Sequence, residues 1–327
     1  MRVLVTGGSG FIGTNLIDSL LKDNIEVINL DIACPKIESH RKSWRCIDIR
    51  DRSRLNSEFL NFSPTHLVHL AARTDLMENG SVNDVYSSNI LGVENIIYCI
   101  KNLESPQRLR AIFTSSRLVF SINKQTKGDF DYCPNTLYGE SKVLGELLVR
   151  REMESFGNWI IVRPTSIWGP WFNEPYYNFF KLIRRGMFFY PGNLKVLKSY
   201  GYVKNTIHQI RKILSIEKLP GRPLYLADEA LLLSEWSELI REAFKAKKIR
   251  RLPVLALKAI AIFGDINKSL SIKFPLTTFR LTNLTSNLLL NIDETKKCCG
   301  INPFDLRQGV DQTVEWIKYF ESADEHL

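Results

Sequence analysis

The sequence predicts an α/β fold, a doubly wound parallel sheet with a smaller C-terminal α/β portion built on it. Three observations carry this expectation. The chain opens on a short apolar strand, a glycine-rich turn and an apolar-striped helix, all between Met1 and Leu21. Apolar runs of strand length then alternate with helical patterns as far as Arg163, the pattern of parallel strands joined by crossover helices. The strands also run out into small, acidic or hydroxyl residues, at the edge where open α/β sheets place their ligands.

The first strand spans Arg2 to Val5, because Val3, Leu4 and Val5 follow one another with no polar alternation. Gly7, Gly10 and Gly13 come next, and then Phe11, Ile12, Leu16, Ile17, Leu20 and Leu21 at helical spacing. A strand, Gly-x-x-Gly-x-x-Gly and a helix in that order make a place for a dinucleotide pyrophosphate. Gly7 makes the tight turn, Gly10 lets backbone approach phosphate, and Gly13 lets helix pack on strand. The helix N-terminus adds N–H groups and the positive end of its dipole. A second strand, Glu26 to Asp31, ends in a carboxylate placed to accept from the adenosine ribose hydroxyls. That charge repels a 2′-phosphate, so NAD is expected rather than NADP. Lys36, Arg41 and Lys42 read as a solvated basic loop.

Further strands are expected over Arg45–Ile49, with Asp48 at its end, and over Thr65–Ala72, Arg110–Ser116 and Trp159–Arg163. Helices are expected over Asp51–Leu60, Asp84–Asn102 and Thr136–Met153. After Pro170 the alternation loosens. Pro, Gly and aromatic residues gather between Trp171 and Gly192, followed by a short strand Pro223–Leu226 and helices Leu233–Lys245 and Leu306–Phe320. The expected division is a cofactor-binding domain over 1–165 and a substrate-binding portion over 166–327, with the chain free to cross back.

The 327 residues suffice for one large core or two domains, and 44% hydrophobic with 24% charged residues is ordinary for a globular protein. A net charge of +9 favours anionic ligands or surfaces. No zinc-finger or RNA-binding signature accompanies it, so no nucleic-acid partner is expected. The six cysteines lack metal-ligand spacing, so no metal is expected either. A core strand directly after Met1 leaves no leader to remove, and the expected location is the reducing cytoplasm. Residues 252–276 are apolar but too short to span a bilayer. They read as a buried helix, or as a helix at the inner face of the membrane flanked by Lys245, Lys247, Lys248, Arg250, Arg251, Lys258, Lys268 and Lys273.

The chemistry rests on Tyr138-Gly-Glu-Ser-Lys142, which sets Tyr138 and Lys142 one helical turn apart on the same face. A nearby ammonium favours the phenolate, so Tyr138 is expected to have a lowered pKa and to serve as a base. Ser116, at the end of the fifth strand, completes the set by binding the substrate oxygen.

With these residues the chain resembles an extended short-chain dehydrogenase/reductase of the NAD-dependent epimerase/dehydratase group. The resemblance is carried by Thr6-Gly-Gly-Ser-Gly-Phe-Ile-Gly13, Asp31, Asp48-Ile49, His69-Leu-Ala-Ala72, Asn89, Thr114-Ser-Ser116, Tyr138-x-x-x-Lys142 and Arg163-Pro164 with Gly169-Pro170. It implies a Rossmann-like fold in which Gly7, Gly10, Phe11, Ile12 and Gly13 hold pyrophosphate and Asp31 holds ribose. It further implies that Asp48 and Ile49 border adenine, that Leu70, Ala71 and Ala72 line the cofactor's path, and that Asn89, Thr114 and Pro164 belong to the cofactor set. Tyr138 and Lys142 would hold the nicotinamide ribose, with Ser116 and Tyr138 facing the reacting hydroxyl. The implied substrate residues are Thr74, Ser116, Tyr138, Thr165, Ser166, Asn178 and Tyr202. A homodimer through the helices around Asn89 and Tyr138 is implied as well.

The second half is similar to bacterial 4-epimerases of surface-polysaccharide and O-antigen pathways, including those acting on N-acetylglucosamine diphosphate linked to undecaprenol. Arg163-Pro-Thr-Ser-Ile-Trp-Gly169, Asn178, Lys198 to Asn205 and the end of the chain from Asp293 to Thr313 carry this. The chain departs from the family pattern at Ser166, where an Asn is usual, at Val203-Lys-Asn205 and at Phe120-Ser121. The expected activity is a sugar 4-epimerase working through a 4-keto intermediate, its carrier left open between UDP and a lipid diphosphate. A 4-keto-sugar reductase and a hydroxysteroid-type dehydrogenase share the same residues. A 4,6-dehydratase fits less well, because Ser115-Ser116-Arg117 stands where that group carries Asp-Glu. A non-catalytic cofactor-bound sensor or scaffold would have no need of Ser116, Tyr138 and Lys142 together.

Overall fold

The computed structural model describes every residue except 78, 122–127, 174, 221, 270–275 and 325–327, and every side chain except also those of 268, 269, 279, 323 and 324. The chain divides into two compact units. The first comprises Met1–Ile167, Val203–Ala227 and Asn291–Pro303, and the second Trp168–Tyr202, Asp228–Leu290 and Phe304–Leu327.

The first unit is built on β1 (Arg2–Thr6), β2 (Glu26–Asp31), β3 (Trp44–Cys46), β4 (His66–His69), β5 (Arg110–Thr114) and β6 (Trp159–Pro164). A seventh strand, Leu224–Leu226, pairs in parallel beside β6, and across the sheet the order is Leu224–Leu226, β6, β5, β4, β1, β2, β3. All pairings in this sheet are parallel. The winding reverses between β1 and β4, whose Thr6 and His69 lie opposite each other in register. The crevice beyond that reversal is where such sheets take ligands.

Helices α1 (Phe11–Lys22), α2 (Arg52–Phe62), α3 (Val82–Val85), α4 (Ser87–Lys101) and α5 (Leu137–Met153) fill the crossovers. Leu55 and Phe59 of α2, Ile96 and Ile100 of α4 and Val149 and Met153 of α5 bury themselves with Leu4, Ile28, Leu67, Phe113 and Ile161. Side chains alternate across a strand, so Val3, Val5 and Val68 face the other side, and all three are fully buried. There α1 packs with the helix Val203–Ser215, and Arg211 of that helix donates to Ser19 Oγ over 2.8 Å.

Some elements differ from expectation for local reasons. The third strand stops at Cys46, short of Ile49. The fourth ends at His69, where the Leu70 amide makes the last bond to β1, to the Thr6 carbonyl at 3.0 Å. The long helix expected over Asp84–Asn102 breaks at Tyr86, which has φ −119° and ψ 27°. The buried Tyr86 hydroxyl bonds the Asp75 carbonyl and accepts from the Met77 amide at 3.0 Å, and this fixes the break. Pro223–Leu226, expected among the loose elements after Pro170, is instead the edge extension of the main sheet.

Beneath α5 lies a buried ion pair. Arg163 of β6 is fully buried and donates to Glu146 of α5 through Nε at 2.8 Å and Nη2 at 2.6 Å. The Tyr132 hydroxyl donates to the same carboxylate at 2.8 Å, and Arg163 Nη2 also donates to the Asp129 carbonyl at 2.8 Å. Removing one partner of such a pair strands the other charge, whereas replacing both with apolar residues is often nearly neutral. Glu146→Leu should therefore lower the unfolding free energy by roughly 3–5 kcal/mol. Glu146→Leu with Arg163→Leu should recover most of that loss in denaturant melts.

Candidate active site

Glycine positions shape the first part of the site. Gly7 sits at φ +73°, and a Cβ there would lie 2.6 Å from the Ala71 amide nitrogen. At Gly13 a Cβ would lie 2.2 Å from the Gly7 carbonyl oxygen, so only glycine lets α1 approach the turn this closely. The N-terminus of α1 has Gly10 as its cap and no side-chain hydrogen bond to close it. Its first-turn amides, at Phe11, Ile12 and Gly13, lack intrahelical partners by construction. An uncapped helix end against a glycine-lined turn fits a pyrophosphate. Asp31, at the end of β2, accepts from the Ser9 amide and the Ala33 amide, each at 2.9 Å. These bonds fix its carboxylate beside the turn.

The second part lies at the ends of β4 and β5 and the start of α5. Thr136 caps α5, its hydroxyl accepting from the Gly139 amide at 3.0 Å. That start places Tyr138, Lys142 and Glu146 along one helical face, all three buried. Lys142 donates to the Thr114 carbonyl at 3.0 Å, and its Nζ lies 5.9 Å from the centre of the Tyr138 ring. Burial lowers the Lys142 pKa to about 8, opposed by the charge of Glu146. Ser116 is buried, and its hydroxyl accepts from the Leu118 amide at 3.1 Å.

Tyr138 corrects an expectation. Its pKa is pushed up to about 12 by burial, with the Ser116 hydrogen bond pulling the other way and the neighbouring Tyr86 adding to the rise. In the protein's own environment desolvation of the phenolate sets the direction of the shift.

The remaining expected residues are placed as follows. Asn89 spends its amide on the chain: it accepts from the Arg73 amide at 2.7 Å and donates to the Arg73 carbonyl and to Ser141 Oγ, both at 3.0 Å. It thereby ties the segment after β4 to α5, which is a positioning role. Asp48 is held by Arg50, whose Nε and Nη2 reach it at 3.1 and 2.6 Å and lower its pKa. Ile49 is buried. Leu70, Ala71 and Ala72 are half-buried beyond β4, and Thr74 is exposed. Thr114 Oγ1 is buried without a hydrogen-bond partner, as is Ser115 Oγ. Pro164 closes β6, and Thr165 and Ser166 follow it, half-buried.

Asn178 and Tyr202 belong to the second unit. Asn178 is half-buried on the helix Tyr176–Arg184. Tyr202 is held on every side. It is 1% exposed, its hydroxyl bonds Gln312 at 2.8 Å, and its ring packs on Trp168 at 5.0 Å. Sequence reading also missed three partners. His69 shares a 2.7 Å hydrogen bond with Thr6 at the reversal of the sheet, and burial together with the Lys142 charge lowers its pKa to about 3, so it is neutral. Ser141 receives Asn89, and Glu146 faces Lys142. Glu146 was legible in principle, since it continues the four-residue spacing of Tyr138 and Lys142.

The family comparison covers most of the first unit and the start of the second. The model of the NAD dependent epimerase/dehydratase family matches residues 3–222. The chain belongs to that family. Its closeness to individual members is lower. It is 27% identical over 96% of its length and 95% of the relative to an N-acetyl-alpha-D-glucosaminyl-diphospho-ditrans,octacis-undecaprenol 4-epimerase of Escherichia coli O157:H7. It is 26% identical over 92% of its length and 87% of the relative to a 3-beta-hydroxysteroid dehydrogenase of Mycolicibacterium neoaurum. Among solved structures, a UDP-glucose 4-epimerase of Thermotoga maritima with UDP-glucose superposes with a TM-score of 0.72 at 20% identity, covering 98% of this chain and 100% of that one. Such a likeness is one of fold. As a family member this is an NAD-dependent enzyme, and the uncapped α1 terminus and the buried Tyr138–Lys142 pair are residues that fit the cofactor.

Lys142 should titrate far below an ordinary lysine, because the fold removes its ammonium from water. In carbon-13 NMR of lysine-labelled, cofactor-free protein, one resonance should change near pH 8, losing charge as pH rises, and should vanish in Lys142→Met. Titration of every lysine near 10.5 would contradict the burial argument.

Proposed function

We propose that this enzyme is a sugar 4-epimerase acting on a diphosphate-linked hexose of the N-acetylglucosamine/N-acetylgalactosamine type, with NAD rather than NADP. The observation that carries the reading is the buried set of Ser116, Tyr138 and Lys142 at the ends of the same sheet that carries the glycine turn. The fixed Asp31 carboxylate favours NAD, since a 2′-phosphate beside it would meet like charge. Similarity along nearly the whole chain to a polyprenyl-diphosphate sugar 4-epimerase supports a polyprenyl carrier in surface-polysaccharide synthesis, with UDP as the alternative.

NAD, when bound, supplies the hydride acceptor and a positive charge at the site. The chain's own residues do the rest. Ser116 and Tyr138 both hold the C4 oxygen. Tyr138 takes the C4 hydroxyl proton as the C4 carbon is oxidised, which gives a 4-keto sugar, and returns it when the opposite face is reduced. Lys142, anchored on the Thr114 carbonyl, holds a cation within reach of the phenolate that forms. Burial raises the resting pKa of Tyr138 to about 12, so the phenol keeps its proton in the cofactor-free protein.

Two finer points belong to the same reading. A homodimer through α4 and α5 is supported by Leu91 and Tyr98 on α4 and Leu147 on α5, which stand 43%, 42% and 45% exposed. A peripheral contact with the inner face of the membrane through residues 252–276 suits a lipid-linked substrate. No helix among the described residues is long and apolar enough to cross a membrane. Leu270, Ile272, Lys273 and Phe274 of that segment lie outside the described residues.

Tyr138→Phe should fold, keep NAD and lose roughly 10²-fold or more in rate. Near-full activity in that variant would remove Tyr138 from the chemistry. With no cofactor added, the wild type should interconvert gluco and galacto forms on the polyprenyl diphosphate faster than on UDP. Conversion only after reduced cofactor and a 4-keto sugar are supplied would make it a reductase.

A further inference from the structure

The helix Val254–Ser269 is apolar on two opposite sides. Its inner stripe is Leu257, Ala261 and Gly264, of which Leu257 and Ala261 bury against Leu281. The outer side carries Leu255, Ile262, Phe263 and Ile266, exposed by 79%, 57%, 57% and 55%. At about 100° per residue these four fall within an arc of about 100° on the side away from the inner stripe. The one acidic residue of the helix, Asp265, is engaged with Thr278, whose amide donates to it at 3.2 Å. A contiguous apolar arc turned to solvent marks a surface with a partner.

A basic cleft adjoins this helix along the chain. The strands Phe189–Pro191 and Arg250–Leu252 pair in parallel, and Pro253 alone separates the second strand from the helix. Beside them an open cleft of about 860 Å³ is lined by Arg185, Lys247, Lys248, Arg250 and Arg251, and no acidic residue lines it. All five cations are exposed, and none pairs with a carboxylate among the described residues.

We propose that cleft and arc form one docking surface for an anionic lipid bilayer. The five cations take the phosphate headgroups, and Leu255, Ile262, Phe263 and Ile266 sink into the boundary between headgroups and acyl chains. This deepens the membrane contact of the proposed function by assigning its headgroup site to residues 185–189 and 247–251, outside the apolar segment. Charge complementarity selects the occupant. A second copy docked by this face would gather both copies' cations into one interface, with no acidic residue lining either cleft to neutralise them. An anionic bilayer neutralises the cations and covers the arc together.

The test uses the full-length protein and vesicles of phosphatidylcholine with or without phosphatidylglycerol, read by co-sedimentation. Wild type should bind the anionic vesicles, ignore the neutral ones and release as salt is raised. Arg250→Glu with Arg251→Glu, and separately Ile262→Ser with Phe263→Ser, should each weaken binding by roughly tenfold or more. Both variants should turn over the UDP-linked sugar in solution at the wild-type rate. Absent binding, equal binding to neutral vesicles, or an oligomer that dissociates in the Ile262→Ser, Phe263→Ser variant would each overturn the proposal. Wild type that binds anionic vesicles but converts no sugar would instead fault the epimerase reading and leave the docking surface standing.

Discussion

Helix α5 is tied to the sheet by two buried charged contacts, and the site depends on both. Lys142 reaches the Thr114 carbonyl at the end of β5, and Glu146, one turn on, grips Arg163 of β6. Each contact removes charge from water, which is costly unless the partner geometry is good. Here the Glu146 carboxylate takes two Arg163 donors and the Tyr132 hydroxyl. The result is a helix with one rotational setting relative to β5 and β6. That setting aims Tyr138 toward Ser116.

The same burial decides the protonation states. Desolvation alone disfavours the charged form of every group it covers. It raises Tyr138, lowers Lys142 and holds His69 neutral. The site therefore rests with its proton on Tyr138 and with a lysine poised near neutrality. A positive charge brought beside Tyr138 would favour its phenolate. Asn89 adds rigidity from the other side, joining the Arg73 backbone to Ser141 of α5.

What was legible in the sequence follows from how local each signal is. The glycine turn, Asp31 and the Tyr138–Lys142 spacing are set within a few residues of chain, and the parallel sheet follows from apolar runs. What could not be read depends on partners distant in sequence. Tyr86 breaks a helix because its hydroxyl is held by the Asp75–Met77 segment. Tyr202, implied as a substrate residue, bonds Gln312, 110 residues away. The lowered pKa expected for Tyr138 failed because spacing gives the distance to an ammonium and not the depth of burial.

The measurement closest to the central claim follows the fate of the C4 hydrogen. N-acetylglucosamine diphosphate on a polyprenyl carrier, with deuterium at C4, would be incubated with purified enzyme and no added cofactor. An epimerase of the kind argued here returns the deuterium to C4 of the galacto product. Loss of the label, or turnover only with an external reductant, would contradict it.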